Sequence, residues 1–132
     1  MKYAVDKQEK YTIDKLDEEK FDASVAPELK SELITMHAEG TQNMILDMSN
    51  IKYTDSSGLS ALLVGNRVFR EDSGMFVLAE LNDHVVKLIK ISQLDSVLTI
   101  SPTVEEAVDT VFLNQIENDL NSEASESDNG KD

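Results

Sequence analysis

Met44-Ile45-Leu46-Asp47-Met48 and, seven residues on, Asp55-Ser56-Ser57-Gly58-Leu59 decide how the chain is read. The first is a compact apolar run of the kind a buried central strand needs. After the second, Leu62, Leu63, Val68 and Phe69 repeat at helical spacing, which predicts a helix over Leu59–Arg70. A buried strand leading through a short polar loop into an apolar helix is the repeating unit of an α/β fold. The loop then lies at the carboxyl end of the strand, where functional groups collect.

The same alternation extends in both directions. Downstream, Gly74 separates the helix from a second apolar run, Met75–Leu78. Asp83–Ile91 reads as a short helix with Val85, Leu88 and Ile89 inward, and Val97–Ile100 as a third strand. Thr103-Val104-Glu105-Glu106 has the form of a capping box, with the threonine on the Glu106 amide and Glu106 reaching back. Val104, Ala107, Val108, Val111 and Phe112 follow at spacings of three and four, predicting a last helix. Upstream, Val25, Leu29, Leu33 and Met36 predict a helix over Ala23–Glu39, with Ser24 as N-cap, Pro27 in its first turn and Gly40 as its stop. Tyr3–Val5 and Tyr11–Leu16 are strand candidates too close together for a crossover, so they pair antiparallel. The expected architecture is one α/β domain with a mixed, mostly parallel sheet of four to five strands and about four helices.

Composition bounds what such a domain does. The chain has 132 residues, 40% of them apolar, and a formal net charge of −14. That charge opposes binding to nucleic acid and to anionic membranes, and it favours solubility and a basic partner. With no cysteine there is no disulfide, thiolate nucleophile or cysteine-ligated metal. The start lacks a signal peptide's apolar segment, and no run reaches the roughly 20 apolar residues of a membrane span, so a cytoplasmic protein is expected. After Leu113 the composition turns to Asn, Ser, Glu and Asp. Residues 1–117 are therefore expected to form the domain, and residues 118–132 an acidic, disordered tail.

The chemistry concentrates in the loop before Leu59. Thr54, Ser56 and Ser57 flank Asp55, and Gly58 follows. One serine is expected to cap the helix, and by spacing either Ser56 or Ser57 serves. The other hydroxyl is then free at the surface. A phosphate there would lie near helix N-terminal amides and the positive end of the dipole, so the fold tolerates it. It would also add nearly two negative charges beside Asp55, which a docked partner would meet as bulk and repulsion. Taken alone, Asp-Ser-Ser-Gly is also an ordinary turn and cap. His37 and His84 are the only histidines and have no further ligand at helical spacing, so no metal site is expected. No Gly-x-Ser-x-Gly elbow or phosphate-cradling glycine loop is present, and no cofactor or enzymatic activity is expected.

The stretch Asp55-Ser56-Ser57-Gly58-Leu59, followed by Leu62-Leu63, resembles the phosphorylation loop and following helix of STAS domains, the family of bacterial anti-sigma factor antagonists. Leu46-Asp47-Met48-Ser49 is similar to the family's preceding strand end. Phe21-Asp22-Ala23, leading to Pro27-Glu28-Leu29, is similar to the approach to its first helix, and Glu105-Glu106-Ala107-Val108 to its last helix. The resemblance spans about residues 3–115. Asp17-Glu18-Glu19-Lys20 stands where the family often carries glycine, a departure that bears on local partner contacts.

The resemblance implies a regulatory transcription switch. The unmodified protein would bind an anti-sigma factor that is itself a serine kinase, releasing a sigma factor. The kinase would phosphorylate Ser56, the modified protein would dissociate, and a phosphatase would reset it. By the family's pattern Ser57 caps the helix and Ser56 accepts phosphate, with Ser57 and Thr54 as secondary candidates. The implied contact surface is Asp22, Asp55, Ser56, Ser57, Gly58 and Leu59, on a monomer or weak dimer. The alternatives are a STAS scaffold without phosphorylation, as part of a signalling complex or lipid transporter, and a receiver-like domain using Asp47. Against the last, Asp6-Lys7 is not an acidic magnesium-binding pair, and Ser101-Pro102 follows the final strand where a receiver carries lysine.

Overall fold

The backbone alternates side chains across a central sheet so that each buried strand serves two cores. In the computed structural model, which describes residues 1–129 and side chains as far as Ser122, five strands lie in the order β1-β2-β4-β6-β7. They are β1 (Tyr3–Lys7), β2 (Thr12–Leu16), β4 (Asn43–Asp47), β6 (Met75–Ala79) and β7 (Thr99–Ser101). Strands β1 and β2 are antiparallel; all other pairings in this sheet are parallel. The four helices are α1 (Ala26–Ala38), α2 (Ser56–Arg70), α3 (Asp83–Ile91) and α4 (Val104–Asn129). This is the mixed α/β architecture expected.

Met44 and Leu46 of β4, with Phe76 and Leu78 of β6, join the larger core with Leu29 and Leu33 of α1, Leu62 and Phe69 of α2, and Val85 and Ile89 of α3. The intervening Ile45, Val77 and Ala79 point the other way, onto Ala107 and Val111 of α4. Such two-sided burial is why these strands read as unbroken apolar runs.

Several local expectations are corrected. Ser24 does not cap α1: the N-cap residue is Val25, which makes no side-chain cap bond. Asp22 takes the local role instead, its Oδ1 accepting from the Ser24 amide (3.0 Å) and hydroxyl (2.6 Å). The far end of α1 behaves as expected. Gly40 has φ 111°, and the Gly40 and Thr41 amides close on the carbonyls of His37 and Met36, the paired bonds of a Schellman stop. The strand expected over Val97–Ile100 is β7, shifted to Thr99–Ser101.

A short parallel pair outside the main sheet was not foreseen: β3 (Lys20–Phe21) with β5 (Tyr53–Thr54). At the start of α4, Thr103 Oγ1 accepts from the Glu106 amide (3.1 Å), while the Val104 amide goes to Glu80 Oε2 (2.8 Å) at the end of β6. Helix α4 continues to Asn129, so the boundary expected at residue 117 falls inside it. Residues 130–132 of the expected tail lie outside the described residues.

Candidate functional site

The loop from β4 to α2 is shaped by its pairing with the segment before α1. Backbone amides of Lys52 and Tyr53 bond to the Glu19 carbonyl. Phe21 and Thr54 then sit in register, with the buried Thr54 hydroxyl donating to the Phe21 carbonyl (2.9 Å). The residue after each strand is an aspartate, Asp22 after β3 and Asp55 after β5. Their carboxylates turn to separate partners, Asp22 to Ser24 and Asp55 to the amides of Ser57 and Gly58.

Asp55 is the N-cap of α2. Its Oδ1 accepts from the amides of Ser57 (2.9 Å) and Gly58 (3.2 Å). This corrects the expectation that a serine caps the helix, and with it the assignment of Ser57 to that task. The helix begins at Ser56, three residues earlier than expected, because the carboxylate satisfies two of its free amides. Those amides are consequently not available to a phosphate, which would instead meet the helix dipole. Lys30 of α1 lines the same open hollow as Ser56, Ser57, Ser60, Ala23, Ala26 and Pro27.

Release from capping leaves both serines free, and exposure separates them. Ser56 is exposed, whereas Ser57 is half-buried. Neither hydroxyl makes a hydrogen bond among the described residues. Thr54 is only 2% exposed and its hydroxyl is committed to Phe21, which leaves it no access to a kinase without local opening.

Gly58 and Leu59 are buried and support the loop from below rather than forming its outer surface. At Gly58 a Cβ would stand 2.1 Å from Thr54 Oγ1 and 2.6 Å from the Phe21 carbonyl oxygen, so the loop closes onto α2 only with glycine there. The expected contact set thus divides into an exposed or half-exposed rim (Asp22, Asp55, Ser56, Ser57) and a buried base (Gly58, Leu59).

The Asp22 carboxyl is held below the usual range, first by the Ser24 hydroxyl bond and then by the Ser24 amide. It therefore stays charged at neutral pH. Asn82, which the sequence reading missed, ties the loop to α3. Its Oδ1 caps α3 at the Val85 amide (2.8 Å), and its Nδ2 donates to the Ile51 (3.1 Å) and Lys52 (3.3 Å) carbonyls. The only advance signal was an Asn-Asp pair before an apolar helix, which marks a cap but not its second partner.

Elsewhere, His37 Nε2 pairs with Asp72 (2.6 Å), and no group of three or more His, Cys, Asp or Glu is arranged to hold a metal ion among the described residues. No helix among them is long and apolar enough to cross a membrane.

The fold is a small α/β module with an exposed serine at the start of α2, beside an open hollow. The family model described as STAS domain matches residues 4–107, and the chain belongs to that family. BtrV of Bordetella bronchiseptica is 30% identical over 82 residues, 62% of this chain and 71% of that protein. The anti-sigma-B factor antagonist of Staphylococcus aureus is 29% identical over 86 residues, 64% of this chain and 78% of that protein. Among solved structures, the Bacillus cell fate determinant SpoIIAA in its phosphorylated form superposes with a TM-score of 0.64 at 19% identity, covering 83% of this chain and 99% of that one. The unphosphorylated form of SpoIIAA, an anti-sigma factor antagonist, gives 0.65 at 18%, covering 83% and 97%.

Proposed function

We propose that this chain is an anti-sigma factor antagonist switched by phosphorylation of Ser56. Unmodified, it binds an anti-sigma factor that is a serine kinase, and a sigma factor is released. The observation that carries this reading is the Ser56 hydroxyl: exposed, at the first position of α2, and with no part in holding the loop. Asp55 does the capping, so Ser56 can be modified without dismantling the fold.

The physical consequence of modification follows from the rim. Phosphate adds −1.5 to −2 charges, roughly, at neutral pH, next to the Asp55 carboxylate that caps the same helix. Lys30 offsets one of these charges within the protein, and the helix dipole helps. A docked partner gains no such relief, since it meets a larger and more negative surface. The relatives support the reading by kind: one matched protein is an anti-sigma factor antagonist, and a structural neighbour exists in phosphorylated and unphosphorylated forms.

The test is incubation of the full chain with ATP and the serine kinase of its host, followed by site mapping. Phosphate on Ser56, and none in Ser56→Ala, is the expected result. Absence of phosphate from Ser56, Ser57 and Thr54 would favour a scaffold role for the same fold. Phosphate on Ser57 alone would keep the switch and move its site. A phosphatase is the implied resetting partner, checked by loss of the label from the isolated phosphoprotein.

A further inference from the structure

Helix α4 does two different things along its length. Its first half covers the second core through Ala107 and Val111, both buried. On that same side further along, Asn118 Nδ2 donates to the Ser73 carbonyl (3.2 Å). The opposite side carries Leu113, Ile116 and Leu120, at i, i+3 and i+7, which are 63%, 55% and 58% exposed. Three large aliphatic side chains in one line, each more than half in water, do nothing for the core. They have the spacing of anchors on a helix that lies in a groove.

The surrounding charge says what kind of groove. Glu117 and Asp119 stand on either side of the stripe by helical geometry, and Asp109 lies at its start. From Val104 to Asn129 there are eight Asp or Glu and no Lys, Arg or His. Pairing two copies of this helix would oppose carboxylate to carboxylate, on chains that each carry −14. An anionic membrane is opposed for the same reason. A complementary surface is apolar in its floor and basic at its rim.

The stripe is also remote from the serine loop. The α4 N-terminus sits at Glu80, beyond the carboxyl end of β6, while Asn118 reaches Ser73, before that strand begins. Leu113, Ile116 and Leu120 therefore lie toward the amino ends of the strands, on the sheet face opposite α1 and α2. Ser56 lies at the carboxyl ends, on the α1–α2 face.

We propose that the Leu113–Ile116–Leu120 face of α4 docks into an apolar groove, rimmed by Lys or Arg, on a second protein, and that this contact is independent of the Ser56 loop. The chain then has two binding surfaces, one switched and one constitutive, and stays tethered to one partner whether or not it engages the other.

The experiment places a photo-reactive benzoylphenylalanine at position 120 of the full chain in its host and maps the cross-linked peptide. An adduct on another protein, within an apolar segment flanked by Lys or Arg, is expected. The purified adduct partner should bind the full chain with an affinity that falls as salt rises. Replacing all three anchors (Leu113→Ser, Ile116→Ser, Leu120→Ser) should weaken it by about 30-fold or more, with circular dichroism unchanged. Ser56→Asp should leave it unaltered. The proposal is overturned by no adduct, by an adduct lacking basic flanks, or by loss of binding in Ser56→Asp. An adduct to a second copy, with dimers in sedimentation that the three substitutions abolish, overturns it in favour of self-association. Co-flotation with phosphatidylcholine vesicles, lost in the same variant, overturns it in favour of a lipid surface.

Discussion

Replacing Asp14 with asparagine should stabilise the protein, and the gain should grow with pH. Asp14 is on β2 with its side chain fully buried against Glu32 of α1. Neither Asp14 carboxyl oxygen receives a hydrogen bond from an amide, hydroxyl or ammonium donor. Burial, and then the Glu32 carboxyl beside it, pushes the Asp14 carboxyl up from 3.8 to about 9. Asp14 therefore keeps its proton at neutral pH, the usual outcome for a carboxyl buried beside another. In the unfolded chain Asp14 is ionised above its ordinary value, so folding must take up a proton.

The sign follows directly. The folded-state value is raised, so the associated stability is fully present below 3.8 and is lost as pH rises toward about 9. Each pH unit in that window costs up to about 1.4 kcal/mol. Three units, from about pH 4 to pH 7, set an upper bound of about 4 kcal/mol for the cost at neutrality. Asparagine has nearly the same shape, carries no charge and can donate its amide to Glu32. Urea denaturation of both proteins from pH 5 to 9 measures the difference. The wild type should lose stability relative to Asp14→Asn across the window, with the variant ahead by about 1–4 kcal/mol at pH 7. Parallel curves, or a variant less stable throughout, would contradict a protonated Asp14 in the folded state.

Other substitutions probe the loop. Gly58→Ala should cost about 1–3 kcal/mol in chemical denaturation, because the new methyl displaces the Thr54 hydroxyl from Phe21. Asp55→Ala should cost about 1 kcal/mol by removing the α2 cap, and should loosen Ser57 and Gly58 in amide exchange before the rest of the helix. Asn82→Ala should lose about 1–2 kcal/mol, since it removes a cap and two loop bonds together. In the Ser56-phosphorylated chain, Lys30→Ala should raise the second phosphate pKa read by phosphorus NMR, as the cation favouring the dianion is gone; an unchanged value would remove Lys30 from the account.

What could be read from the sequence was whatever carries its own period. The apolar runs of β4 and β6, the helical spacing of α2 and α3, and the threonine cap of α4 are each set by residues within one element. Strands β3 and β5 were invisible because two residues have no period. Their pairing is what sets Phe21 against Thr54, just ahead of Asp22 and Asp55. The capping error had the same root. Asp55, Ser56 and Ser57 are all good N-caps, and the choice depends on where the chain leaves β5 and turns, a tertiary matter. At α1, Asp22 engages the residue two positions on, so Ser24 is drawn away from the helix it was expected to cap. Asp14 reads as the polar position of an alternating strand, and only the packing of α1 on β2 buries it. The exposed stripe on α4 hid inside a pattern that also serves the core, since Val111 faces the sheet and Leu113 does not.

The central claim, that Ser56 is a switch and not a scaffold residue, is tested most directly by one titration. The affinity of the full chain for its anti-sigma factor is measured by calorimetry with Ser56 unmodified and with Ser56 phosphorylated. Tight binding of the unmodified chain and a loss of about 100-fold or more on phosphorylation are predicted, the size expected when a dianion is forced against a docked surface. Equal affinities for the two forms would contradict the account.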